Sequence, residues 1–189
     1  MAPDERRRAI IEATLPLLLE HGMSLSTRQI AHAACVAEGT IFRAFETKQE
    51  LLNETILHAL AVEGPVAQLR AVDSARPLND VVADLIAILQ AEIGRTRALT
   101  SLLAHPPLTS SDAKCPAIDP RQRRAALHAA VGDALRPHAQ DLAVDLDTAA
   151  SVLMAMAFAT THELAGSASL ATPHDIAGVV LHGLARGDS

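Results

Sequence analysis

The sequence predicts an all-α fold of about nine helices, on three observations. Apolar residues recur three and four positions apart through most of the 189 residues, the spacing that gathers them on one side of a helix. No stretch shows the apolar–polar alternation of a half-buried strand, and there is no internal repeat or low-complexity tract. Capping residues, glycines and prolines divide the pattern into helix-sized pieces.

The first helix is expected from about Asp4 to His21, with Ile11, Leu15, Leu18 and Leu19 on one face. Gly22 ends it, and Pro16 should kink it because the ring removes one backbone bond. Ser26 and Gln29 form a capping box, in which the serine oxygen takes a first-turn amide and the glutamine reaches back. A helix of about eight residues follows, turning Ile30, Ala31 and Ala34 inward. Cys35-Val36-Ala37 is long enough only for a sharp turn. The next short helix buries Ile41 and Phe45 and leaves Gly39, Thr40, Phe42 and Arg43 on or near its other side. Two short helices joined this tightly make a helix-turn-helix, whose second helix can enter the DNA major groove.

Thr47 and Glu50 form a second capping box. The helix they open carries Leu52, Ile56, Ala59 and Leu60 and should stop near Gly64-Pro65. It is too long to serve the helix-turn-helix alone, so it is expected to link two domains, residues 1–50 and 51–189. From Pro77 to Ile93, Leu78, Val82, Leu85 and Leu89 repeat at helical spacing. After Gly94 a shorter helix holds Leu99, Leu102 and Leu103. Residues 106–118 are rich in breakers and read as a loop. Asp119, Pro120 and Gln122 then read as cap, first-turn proline and capping-box partner of a helix bearing Leu127, Val131, Ala134 and Leu135. Asp145 or Asp147 opens the most apolar helix, which ends at Gly166. Thr172 and Asp175 cap the last, which carries Ile176, Val179, Val180 and Leu184.

The order Thr27…Ile30-Ala31…Ala34-x-Val36…Gly39-Thr40-Ile41-Phe42…Phe45…Lys48…Leu51 resembles the amino-terminal signature of the tetracycline-repressor (TetR) family. The likeness covers residues 5 to 55. It implies a DNA-binding transcription regulator with a three-helix amino-terminal domain and a helical carboxy-terminal domain for effector binding and dimerisation; about nine helices is usual for it. Four positions depart from the pattern. Cys35 stands where glycine is usual, and a left-handed backbone there costs a side chain about 1 kcal/mol. Ala37 replaces a serine or threonine cap, losing about 1 kcal/mol. Glu38 stands where lysine is common; it suits the helix dipole but repels phosphate. Phe42 replaces a tyrosine and lacks its hydroxyl, for which Arg43 can compensate.

Net charge is −6, an unexpected sign for a DNA-binding chain. Residues 1–50, however, hold six basic and seven acidic side chains, so the local balance is −1 and the remainder carries −5. Arg6, Arg7, Arg8, Arg28, Arg43 and Lys48 are expected to gather on one face, because phosphate affinity needs only a local patch. No apolar run reaches the roughly 18–20 residues of a membrane span, and the start lacks the apolar stretch of a signal peptide. A cytoplasmic protein with no membrane partner is therefore expected. Cys35 and Cys115 form no disulfide or metal pattern. The nine histidines show no i, i+4 metal pair, and no phosphate loop or nucleophile elbow occurs. No cofactor and no metal are expected, and no enzyme activity. The alternative reading is a helical protein with a metal-dependent or enzymatic carboxy-terminal domain, its metal held by residues such as His105, Cys115 and His128, and a vestigial helix-turn-helix.

Further expectations follow on the DNA-regulator reading. Base contacts fall to Glu38, Gly39, Thr40 and Arg43 and phosphate contacts to Thr27, Arg28 and Lys48, with Phe42 beside them. A palindromic duplex operator would match a two-fold homodimer. The dimer is expected to pair the last two helices, because Ala149, Ala150, Ala155, Ala157 and Ala159 allow close approach and Val179, Val180 and Leu184 add apolar surface. By resemblance, a small-molecule pocket lies between residues 47 and 166. Its apolar wall would come from Ile86, Leu89, Leu103, Leu127, Val131, Met154 and Phe158, and its polar contacts from His58, His105, His128 and His162. Phe158 is the one aromatic residue after Phe45, so an aliphatic or small polar effector is expected over a polyaromatic cation.

Overall fold

The computed structural model describes residues 3–103, 119–161 and 172–184, with side chains only up to Leu102 in the first segment and Leu181 in the last. The described residues are helical, with no strand. They divide into two compact units: residues 1–61 with 96–118, and residues 62–95 with 119–189.

The first unit contains α1 (Pro3–His21), α2 (Thr27–Ala33), α3 (Glu38–Ala44) and α4 (Lys48–Ala59). α1 packs on all three of the others. Ile10, Leu18, Ile30, Ile41, Leu51 and Ile56 are fully buried in its core. Two threonines are buried with them. Thr14 and Thr55 each donate to the carbonyl four residues back, at 2.7 and 2.8 Å, so neither hydroxyl is stranded. α1 runs through Pro16 without a break. Of its expected inward residues Ile11 and Leu18 are buried and Leu15 packs on the core; Ile10 joins them fully buried, whereas Leu19 is 47% exposed.

The second unit contains α5 (Glu63–Arg70), the part of α6 (Leu78–Leu103) up to Arg95, α7 (Pro120–Leu135), α8 (Leu146–Thr161) and α9 (Pro173–Leu184). α5 and α8 both pack on α7, and α9 packs on α8. Leu85, Ile86, Val131, Leu153 and Ala177 lie at the centre of its core.

Two breaks expected from composition are not breaks. Pro65 lies in the first turn of α5, where no intrahelical amide is required, so Gly64-Pro65 begins a helix that the sequence reading lacked. Gly94 lies inside α6, and the two helices expected on either side of it are one. Glycine weakens a helix interior by about 1 kcal/mol, too little to end one that buries Leu89 and Glu92 before it and Leu99 after it.

At Thr47 one arm of the expected box forms, the hydroxyl accepting the Glu50 amide, while the Glu50 carboxylate takes the Glu46 amide. The Asp119 carboxylate accepts the Arg121 amide at 2.9 Å. Asp145 caps α8, accepting the Thr148 amide at 2.8 Å, and that bond holds its carboxyl below the usual aspartate range. Thr172 and Asp175 bond reciprocally, amide to side chain, at 3.0 and 3.2 Å.

Candidate nucleic-acid interface

The geometry of the α2–turn–α3 segment comes from short-range chemistry. Ser26 and Gln29 close both arms of the capping box that begins α2. At the other end, the Val36 amide reaches the Ala31 carbonyl at 2.9 Å and the Cys35 amide reaches that of His32 at 3.2 Å. These two bonds define a Schellman turn, whose pivot must be left-handed. Cys35 is that pivot, with φ of 52°. The thiol itself is exposed. α3 then begins at Glu38 with no side-chain cap from Ala37. Ile41 is buried, and Phe45 after it is 1% exposed, which seats α3 on the unit.

The outer face of α3 presents Glu38, Gly39, Phe42 and Arg43 to solvent, with Thr40 half-buried. Phe42 is 52% exposed, and an added Cβ at Gly39 would meet nothing within 4 Å. A close backbone approach at Gly39 is thus open to a partner. Thr27 and Glu38 are brought together across the motif, the threonine hydroxyl donating to the carboxylate at 2.5 Å. Arg28 is exposed at the start of α2. Lys48 opens α4, its ammonium 3.2 Å from the Met23 carbonyl.

Besides Lys48, two of the six expected surface cations are engaged inside the unit, both by carboxylates. Arg8 pairs with Glu12 one turn on, at 2.8 Å. Arg7 donates to both Glu50 and Glu54, at 2.7 and 2.5 Å through Nη2, and to Glu54 again at 3.0 Å through Nε. Its Nη1 bonds the Ala44 carbonyl, and the guanidinium lies 4.1 Å from the centre of the Phe45 ring. Glu54 above all holds Arg7 above the ordinary arginine value; the Arg7 contact in turn holds Glu50 below the usual glutamate range. Sequence reasoning placed Arg7 with the phosphate-facing cations. The signal it missed is the pair Glu50 and Glu54, four residues apart on one face of α4.

In the second unit the expected ligand residues fall into three groups. Ile86, Leu89, Leu127 and Val131 share the core, and Met154 packs against it half-buried. His128 bonds the Asp147 carbonyl at 3.2 Å and the Ser151 hydroxyl at 3.0 Å, both through Nε2. A relay needs its carboxylate on the opposite nitrogen, so this trio lacks nucleophile-activating geometry. Phe158 is 57% exposed, so its ring is at the surface and not in that core. His58 is exposed on α4 in the first unit. His105 and His162 lie outside the described residues, as does the side chain of Leu103.

Sequence reasoning also missed Glu92, a carboxylate buried in α6 between Arg95, at 2.6 Å, and Arg123 of α7. Burial pushes the Arg123 guanidinium below its ordinary value, against the pull of Glu63. Among the described residues no group of three metal-ligating side chains occurs.

The expected dimer residues are also divided. Ala149, Ala150 and Ala157 have no accessible surface, and Val180 has only 6%. All four lie in the unit's own core. The outward side of α8 is instead Ser151, Ala155, Phe158 and Ala159, and α9 exposes Val179 at 55%. The Leu184 side chain lies outside the described residues.

Residues 10–55 match the family described as bacterial regulatory proteins, tetR family. A protein of Escherichia coli (strain K12) named "Probable acrEF/envCD operon repressor" is 34% identical over 103 residues. The match covers 52% of this chain and 47% of that protein, so this chain spans about half the length of that relative. Among solved structures, a TetR family transcription regulator from Marinobacter aquaeolei VT8 is similar with a TM-score of 0.50 and 15% identity, over 97% of each chain. SmeT, in a complex with triclosan, has a TM-score of 0.54 and 18% identity, over 96% of this chain and 92% of its own. The superantigen PfiT has a TM-score of 0.54 and 19% identity over the whole of both chains. At such identities the likeness concerns the fold, which one neighbour named for a different activity shares.

Proposed function

Because its amino-terminal residues place this chain in the tetR family of bacterial regulatory proteins, we propose that it is a homodimeric transcriptional repressor. It binds a palindromic DNA operator from the cytoplasm and is released by a small-molecule effector. The observation that carries this reading is the helix-turn-helix itself: a closed capping box, a Schellman turn, and an α3 whose outer face is exposed where a groove-reading helix needs it. That the E. coli relative is named an operon repressor supports repression. DNA binding falls to the first compact unit, which holds the helix-turn-helix and α4, and effector binding and dimerisation to the second. Among the described residues no helix is long and apolar enough to cross a membrane.

In this reading Glu38, Gly39, Thr40 and Arg43 meet base edges, with Phe42 against the groove wall, while Thr27, Arg28 and Lys48 meet phosphate. Effector binding falls to the second unit. Its apolar wall includes Ile86, Leu89, Leu127, Val131 and Met154, and His128 is a polar group at its edge. With Phe158 the one aromatic residue after Phe45, an aliphatic or small polar compound is favoured over a polyaromatic cation. The dimer surface is the outward side of α8 and α9, with Phe158 and Val179 at its centre.

Selection of duplexes from a randomised pool, followed by gel shift, tests the reading. The recovered duplexes should contain an inverted repeat. Lys48→Ala should weaken all sequences alike and lower the salt slope by about one unit. Thr40→Ala should change which repeat variants are preferred. Recovery of no duplex above random background would refute DNA recognition, and with it the repressor.

A further inference from the structure

We infer that Arg7 is a positioning residue for the recognition helix, fixing the corner between α3 and α4 from inside the unit and not meeting DNA. The inference rests on the reading of this unit as a DNA-binding domain. A seven-residue helix cannot hold its own orientation by propensity, so the residues that fix its exit set where its outer face points.

Arg7 and its two glutamates engage every residue of that exit. Ala44 is the last residue of α3, and its carbonyl has no partner further along the helix; Arg7 Nη1 supplies one. Phe45 leaves the helix in an extended conformation, and its ring lies under the guanidinium. The Glu46 amide donates to Glu50 Oε2 at 2.7 Å, while Glu50 Oε1 takes Arg7 Nη2. Thr47 caps α4 through the Glu50 amide at 3.0 Å. One guanidinium thus joins α1, the end of α3 and two turns of α4. A planar fork can do this because its donors diverge in fixed directions, which an ammonium cannot copy.

Charge argues in the same direction. Two carboxylates surround one guanidinium, so the cluster carries −1 overall and repels a phosphate. All three guanidinium nitrogens already donate within the unit.

The test uses the full chain and a duplex that the wild-type protein recovers from a randomised pool. Arg7→Met should bind it about tenfold more weakly, the effect of losing a charge-assisted bond, with the salt slope unchanged. Arg7→Lys should recover little, and Glu54→Gln should weaken binding as well. Hydrogen exchange at the Phe45 and Glu46 amides should quicken in Arg7→Met, with exchange in α7 and α8 unaltered. A phosphate-contacting Arg7 would give the opposite pattern, which overturns the inference: a slope lower by about one unit, near-full affinity in Arg7→Lys, tighter binding in Glu54→Gln and unaltered corner exchange. Should Arg7→Met fail to fold, Arg7→Lys and Glu54→Gln carry the same comparison. If the wild type recovers no duplex, the DNA reading fails, and the exchange measurement still decides whether Arg7 holds the corner.

Discussion

Replacing Phe158 and Val179 with glutamate addresses the dimer at two large apolar side chains exposed among the described residues of the second unit, at 57% and 55%. A phenylalanine side chain presents on the order of 200 Å². With 57% of it exposed, about 110 Å² is open to a partner, which at about 25 cal/mol per Å² is worth about 3 kcal/mol. A two-fold axis counts the contribution twice, and Val179 adds to it. Association converts only part of such area into affinity. A hundredfold weaker dimer, about 2.7 kcal/mol, is therefore a cautious expectation for the double variant. Sedimentation velocity over a dilution series reads it directly. Leu19→Glu is the control, since Leu19 is 47% exposed but belongs to α1 in the other unit. Val180→Glu is no test, because a charge at a 6% exposed position damages the core first. A double variant that sediments as a dimer at every dilution, like the wild type, would refute the assignment.

Glu92→Leu should destabilise the chain by about 3 kcal/mol, since it removes the carboxylate from two guanidinium groups, one of them 12% exposed. The thermal midpoint should fall by about 6–12 °C, and Arg123→Met on top should restore much of it. Gly94→Ala should stabilise by about 1 kcal/mol in urea titration, because the position is helical and the new Cβ meets nothing within 4 Å. The Arg7 contact lowers the folded-state pKa of Glu50, so its contribution is complete above the ordinary glutamate value of about 4.3 and disappears as pH falls through the lower folded value. Denaturant titrations should therefore show the stability gap between wild type and Arg7→Met closing as pH falls from about 5 to about 2.

What was legible in the sequence was what depends on near neighbours. The boxes and caps at Ser26, Asp119, Asp145 and Thr172 bond to amides two or three residues away, so residue type and spacing suffice to find them. The sharp turn at Cys35 follows from the three residues between the helices, and its left-handed backbone, with φ of 52°, from the resemblance to a family with glycine there. Helical spacing likewise identified Ile30, Ile41 and Phe45 as the inward side of the helix-turn-helix. Misreadings of the same local kind came from treating Gly64-Pro65 and Gly94 as breakers; burial of the surrounding helix outweighs about 1 kcal/mol of propensity, and a first-turn proline costs little.

The tertiary structure alone decided which side chains meet. Arg7 finds its carboxylates 43 and 47 residues away, and Glu92 finds Arg123 at a separation of 31. A run such as Arg6-Arg7-Arg8 reads the same whether a residue faces phosphate or a half-buried glutamate of its own unit. The α8 alanines pose the same ambiguity. Small residues permit close approach by any helix, and only packing shows that Ala149, Ala150 and Ala157 lie in the unit's own core and Phe158 outside it. Periodicity reports that a face is apolar, but what covers that face depends on chain far away in sequence, and on there being no room left once the core is filled.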